Sequence, residues 1–316
     1  MRLARPLKFI GTSLLCLTLI AFLALALGQA GNGWGNNYEL LWLRFPRVLA
    51  ALVAGVALGM GGATQQGLFR NPLADPGLTG VFGGALLGIA TLLAINDSWV
   101  WEHAWSLPAS AFAGAMLTSL LLVALNGKKS THRLILTGLG LNAFTAAGTL
   151  IIATRFSASR DVLISGMTGD WLGFATLELI FLPTLLCGIA CLLLLFQVRA
   201  LDKLSLGEEV AQSLGVNVAA TRRWGILFTA LAAAAATCLV GQVAFIGLLA
   251  PHFARAIVGP RHAWVLPLSG LLGGTLLLLA DTVGRSLWPQ APLSAAAMTA
   301  LLGAPAFVWI ASRQND

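Results

Sequence analysis

Four histidines, four cysteines and twelve acids are the groups in this chain that could ligate a metal, attack a bond or move a proton, and their spacing supports none of these reactions. His103, His132, His252 and His262 lie far apart, and no two recur at the i, i+4 spacing that sets a pair of imidazoles on one helix face for zinc. Cys16, Cys187, Cys191 and Cys238 all sit inside apolar runs and read as small core residues, without a disulfide framework or zinc spacing. A nucleotide-binding loop needs G-x-x-x-x-G-K-[ST]. The one Gly-Lys pair, Gly127-Lys128, is followed by Lys129 and has Leu122 where the first glycine belongs, so this chain is not expected to hydrolyse ATP itself. Gly138-Leu139-Gly140-Leu141-Asn142-Ala143 matches a relaxed dinucleotide fingerprint, but no strand precedes it and helix packing explains it better. Asp281 is the one acid well inside an apolar run, and Arg285 one turn later can pair with it. That is not the set of mid-span acids that marks a proton-coupled pump. No catalytic residue and no metal site is assigned.

Two connecting segments carry more pattern than a linker needs. In Arg70-Asn71-Pro72-Leu73-Ala74-Asp75-Pro76-Gly77 the two prolines forbid a continuous helix, and Asp75 is placed to cap the next helix with Pro76 at its first position. Arg199 to Arg223 is too polar to cross a membrane. Within it, Ser205-Leu206-Gly207-Glu208 has the form of a capping box, in which Ser205 and Glu208 satisfy each other's amides. Leu206, Val210 and Leu214 then recur every four residues on one face, Glu208, Glu209 and Gln212 point elsewhere, and Gly215 ends the helix. A short amphipathic helix of this kind either docks a soluble partner or lies in the membrane interface.

The elements that hold these segments are apolar. The chain is 58% hydrophobic and 10% charged, too few charges to coat a soluble globule of 316 residues. Most of it falls into runs near the length that crosses a hydrocarbon core roughly 30 Å thick, continuous rather than alternating as barrel strands would be. The expected fold is all-α, a single polytopic membrane helix bundle over 1–316 with a cytoplasmic loop at 199–223. About ten transmembrane helices are expected, near 9–28, 48–67, 78–95, 107–125, 134–153, 178–197, 224–241, 245–257, 264–285 and 295–312. The eighth is short and holds Pro251, so a broken helix is the alternative there. Phe9 to Leu27 is longer than the core of a signal peptide and reads as a retained span.

Orientation follows from the cations. With the N-terminus inside, the outer side holds only Arg44, Arg47, Arg155, Arg160 and Arg285 of the 19 Lys and Arg residues, which satisfies the positive-inside rule with both termini cytoplasmic. The net charge of +7 is scattered between apolar runs rather than gathered on a face, so nucleic acid is not an expected partner and membrane lipid is. Most of the ten tryptophans fall at predicted span ends, as in an aromatic belt. Glycines at helical spacing, Gly55/Gly59, Gly80/Gly84/Gly88 and Gly270/Gly274, predict close helix crossings.

Six segments together resemble the permease family of ABC importers for iron-siderophores, haem and cobalamin. They are Leu43-Arg44-Phe45-Pro46-Arg47, Asn71 to Gly77, Leu206-Gly207-Glu208 through Leu214-Gly215, Phe245-Ile246-Gly247-Leu248 with Pro251-His252, Leu279-Ala280-Asp281 with Arg285, and Gly303-Ala304-Pro305. The resemblance covers nearly the whole chain. It implies a bacterial inner-membrane subunit that pairs with a second copy or a paralogue, two cytoplasmic ATPases that bind the ATP and magnesium, and a periplasmic binding protein. It makes Leu206, Gly207, Glu208, Val210, Leu214 and Gly215 the ATPase-coupling element, and Arg44, Arg47 and Arg285 the outward groups that receive acids of the binding protein. It places an inner gate around Asn71, Leu73, Ser130 and Thr131. Where similar permeases have Gly-Pro before Phe-Ile-Gly, this chain has Gly241-Gln242, which leaves the bend before the eighth span open. Ferric siderophore is the expected cargo, with haem or cobalamin next and an ion-coupled secondary transporter as the rival class.

Overall fold

In hydrocarbon every backbone donor and acceptor has to be satisfied within its own segment, so long apolar runs fold as helices. The computed structural model describes residues 4–27, 39–95, 103, 105–126, 131–156, 163–164, 166, 170–287 and 292–313. Among these residues there are twelve α-helices and no strand. They are α1 (Ala4–Ala26), α2 (Glu39–Phe69), α3 (Val81–Ile95), α4 (Ser106–Asn126), α5 (Thr131–Arg155), α6 (Leu177–Phe196), α7 (Val198–Leu204), α8 (Glu208–Ser213), α9 (Val218–Val240), α10 (Ile246–Val258), α11 (His262–Leu287) and α12 (Ala295–Arg313). Each of the ten predicted spans falls on one of them. Seven helices are long and apolar enough to cross a membrane, while α3, α10 and α12 are shorter apolar helices.

The bundle is built around α2, which packs against α6, α9, α10 and α11. Small residues set these crossings, as their spacing predicts. A Cβ added at Gly55 or Gly59 would collide with the Gly273 or Ser269 carbonyl of α11, and one at Gly62 with the Gly247 carbonyl of α10. The α3 glycines Gly84 and Gly88 meet Gly114 of α4 in the same way. Backbones this close gain dispersion contacts that larger side chains would forbid. On α9 the run Ala232 to Ala236 is fully buried for the same reason.

Helix α10 is continuous through Pro251, and its 13 residues reach only about 20 Å. The break lies upstream, in residues 241–245, where Gly241 (φ 77°) ends α9 and Phe245 (φ 68°) opens α10. Pro251 has no N–H, so the carbonyl four residues earlier, on Gly247, loses its helical donor. Gln66 of α2 supplies one: its Nε2 donates to the Gly247 and Leu248 oxygens at 3.4 and 3.3 Å, and Arg255 Nη1 donates to its Oε1. Gln66→Leu therefore removes the donor and leaves the Arg255 guanidinium short of an acceptor. A loss of about 1–3 kcal/mol is expected, read as a lower unfolding midpoint in detergent, with Gln66→Glu milder than Gln66→Leu.

The connection after α2 is re-entrant. Arg70 (φ 49°) terminates the helix and the chain climbs back until Pro76 packs beside Gly61, eight residues or about 12 Å short of the end of α2. Asp75 then caps a single 3₁₀ turn, Pro76–Thr79, with Pro76 at its first position. Gly80 (φ 84°) leads from that turn into α3.

Candidate functional site

The 199–223 loop holds its predicted apolar stripe by a different local route from the capping box. Helix α7 continues through Leu204, so Ser205 is itself helical (φ −63°, ψ −22°) and closes α7, with its Oγ donating to the Asp202 carbonyl at 2.7 Å. A capping serine needs an extended backbone, which Ser205 lacks. The N-cap of α8 is Gly207 at φ 116°, and the Glu208 carboxylate accepts from Arg222 at 2.7 Å instead. The stop is as expected: Val216 N donates to Ala211 O and Gly215 N to Gln212 O, the paired bonds of a Schellman motif, with Gly215 at φ 80°. Asn217 caps α9 by accepting from Ala220 N, a role that its place directly before the helical run makes readable. Leu206, Val210 and Leu214 are 63%, 45% and 48% exposed, whereas Ala211, next to Val210, is fully buried. The loop thus leaves its apolar stripe uncovered, with Glu208, Glu209 and Gln212 exposed on the other sides of the same short helix.

A part-buried contact ties this loop to α11. Asp202 Oδ1 accepts from the His262 backbone N–H at 2.7 Å and lies 3.0 Å from His262 Nδ1, so a side chain of α7 caps α11. Asp202→Ala strips the cap and should cost about 1–2 kcal/mol. Faster hydrogen exchange confined to the first turn of α11 is the expected signature, with exchange at the far end of that helix unchanged.

At the opposite end the three arginines come together, and most of their surface is turned inward. Arg44 Nη1 donates to the Leu25 and Ala26 carbonyls at 2.9 and 3.1 Å, and Arg285 donates to those of Ala24 and Leu27. Both guanidiniums thereby satisfy the last carbonyls of α1, where the helix dipole favours a cation. Arg47 forks onto Asp281, with Nη2 to Oδ1 at 2.7 Å and Nε to Oδ1 at 3.0 Å. Arg285 Nε lies 3.3 Å from Asp281 Oδ2, so the i, i+4 pairing read from sequence is present. The Asp281 and Arg285 side chains are 0% and 4% exposed and Arg47 is 19% exposed, which leaves Arg47 as the guanidinium of this pair that reaches solvent. Asp170, outside the spans, completes the cluster. Burial pushes its carboxyl above the usual carboxylate range, opposed by the charge of Arg47.

Around the re-entrant turn, Asn71 Oδ1 accepts from Leu73 N at 2.9 Å, an Asx turn that shapes the chain before Asp75. Asp75 accepts from Gly77 N at 2.7 Å, and Asn142 of α5 donates Nδ2 to the Gly77 carbonyl at 2.8 Å. Of the gate residues expected on the other side, Ser130 lies outside the described residues and Thr131 opens α5. The bend before α10 persists without the proline of similar permeases, and Gln242 uses the N–H that proline would lack, donating to Gly166 O at 3.0 Å.

Over this architecture the profile of the FecCD transport family matches residues 12–313. The chain belongs to that family. FecCD relatives include the hemin transport system permease protein HmuU of Yersinia pestis, 36% identical over 94% of this chain and 95% of its own length. The ferric enterobactin transport system permease protein FepD of Escherichia coli strain K12 is 40% identical over 86% of this chain and 81% of its own. The vitamin B12 import system permease protein BtuC of Escherichia coli O139:H28 is 36% identical over 94% of each. Among solved structures, an inward-facing metal-chelate type ABC transporter superposes with a TM-score of 0.87 at 28% identity, covering 97% of this chain and 99% of that one.

Proposed function

We propose that this chain is the membrane-spanning permease subunit of an ABC importer that carries a metal chelate from periplasm to cytoplasm, driven by ATP hydrolysed in partner subunits. The observation that carries the reading is the outward-facing stripe of Leu206, Val210 and Leu214 on a capped loop at one end of a FecCD bundle. An apolar stripe left uncovered by its own chain, flanked by acids and amides, suits a groove on a soluble partner.

The assembly has a second copy of this chain or a paralogue beside it, two ATPases against the α7 and α8 loop, and a binding protein at the arginine end. Both termini lie in the cytoplasm. On that face Arg47 is the contact for an acidic residue of the binding protein, and Arg44 and Arg285 act by fixing the end of α1 beneath it. Ferric siderophore is the foremost cargo, with haem and cobalamin as alternatives. Three relatives carry the name of a ferric chelate: FepD, the Fe(3+)-citrate permease YfmE of Bacillus subtilis and the Fe(3+) dicitrate permease FecD of Escherichia coli.

The test is reconstitution into vesicles with the candidate ATPase and binding protein, followed by ATP-dependent accumulation of ferric siderophores, haem and cobalamin. Accumulation of one chelate that stops without ATP supports the reading. Transport driven by an ion gradient in the absence of the ATPase would overturn it.

A further inference from the structure

Midway along the bundle two unwound stretches face one another across a pocket of about 280 Å³. One is the re-entrant turn at Gly77, and the other is the 241–245 break at Gln242. Between them lie Phe82 and Leu86 of α3 and Asn142 and Thr149 of α5. Asn142 is the twelfth of the 25 residues of α5, so the pocket sits near half the depth of that helix. Non-helical backbone at such depth persists where it is buried in protein or lines a polar cavity.

The chemistry of the lining is specific. No described residue that lines the pocket is ionisable. Thr149 Oγ1 spends its proton on the Thr145 carbonyl at 2.9 Å, and Asn142 Nδ2 is engaged by Gly77 O, so both residues offer acceptor oxygens to the pocket. The Gln242 carboxamide makes no hydrogen bond with any described residue, while its backbone N–H is fixed on Gly166 O. The pocket therefore presents acceptors, one uncommitted amide and the apolar faces of Phe82 and Leu86. A charged group lodged there would lose its hydration and meet no counter-ion among the described lining residues.

Resting on the permease reading, we propose that this pocket is a cargo subsite that takes an uncharged rim of the chelate, rich in amide or hydroxyl donors, and so selects neutral chelates over polyanionic ones. Gln242 is the specificity-determining residue, with Thr149 its acceptor partner across the pocket. At 280 Å³ the pocket holds one edge of a chelate rather than the whole.

The test uses the permease assembled with its ATPase in nanodiscs and measures retention of two iron-55 probes by equilibrium dialysis. One is ferrichrome, a neutral ferric trihydroxamate, and the other is ferric enterobactin, a trianionic ferric tris-catecholate. The native protein should hold ferrichrome at least about tenfold more tightly. Gln242→Leu and Thr149→Val should each weaken ferrichrome about three- to tenfold, the loss of one neutral hydrogen bond, and Gln242→Asn should restore part of it. Tighter retention of ferric enterobactin, or ferrichrome binding unmoved by both variants, overturns the proposal. ATP-driven chelate uptake is scored separately, in vesicles that carry the same permease and ATPase together with the binding protein. Its presence alongside unmoved binding removes only the subsite, and its absence removes the permease reading and the subsite together.

Discussion

Val210→Asp combined with Leu214→Asp is expected to strip the ATPase from the purified permease and to lower ATP-driven uptake by at least about tenfold. Both side chains are close to half exposed, so aspartate at either position costs the folded bundle little, within about 0.5 kcal/mol. At a docked interface the same change removes two apolar anchors and inserts two charges that must be desolvated, and losses at such anchors commonly exceed 2 kcal/mol. Gln212→Asp, on the polar side of the same short helix, is the control that should leave co-purification near the native level. Unchanged co-purification and uptake in the double variant would remove α8 from the coupling role and return its stripe to the membrane interface.

Asp281→Asn should produce the largest loss of stability of any single substitution at the arginine end. The carboxylate is fully buried and accepts the Arg47 fork, with Arg285 alongside. Neutralising it leaves two cations with no counter-charge between them, for which about 3–5 kcal/mol is the expected cost. A lowered unfolding midpoint in detergent is the readout. Adding Arg47→Met to Asp281→Leu should recover part of the loss, because removing both partners of a buried pair costs less than orphaning one. An Asp281→Asn variant as stable as the native protein would show that the cluster contributes little to holding α2 against α11.

The elements were largely legible in the sequence and their mutual contacts were not. Helix positions follow from run length, because hydrocarbon forces each run to satisfy its own backbone, and the glycine spacings announced the α2 crossing with α11 for a similar reason. The capping box misled because a four-residue pattern cannot tell whether its serine lies before a new helix or still inside the previous one. Ser205 lies inside α7, and Gly207, with no Cβ to penalise its φ of 116°, makes the turn. The three arginines were expected at one end and do cluster there, but Arg44 and Arg285 find main-chain carbonyls of α1, and a carbonyl has no sequence signature. Gln66 was missed altogether. Its signal was the proline at 251, which announces a carbonyl in need of a donor without naming the distant residue that supplies it.

One helix links both ends of the molecule. Helix α11 begins at the residue gripped by Asp202 and carries Asp281 and Arg285 in its last two turns. Over its 26 residues it forms a rod about 39 Å long. Like a see-saw plank, it converts angle into distance: a tilt of about 5° at the end clasped by α7 displaces the other end by about 3 Å, comparable to the reach of the hydrogen bonds that fasten Arg47 there. The 199–223 loop and the arginine cluster are therefore two fittings on one helix, and resetting one while the helix stays whole imposes a strain on the other.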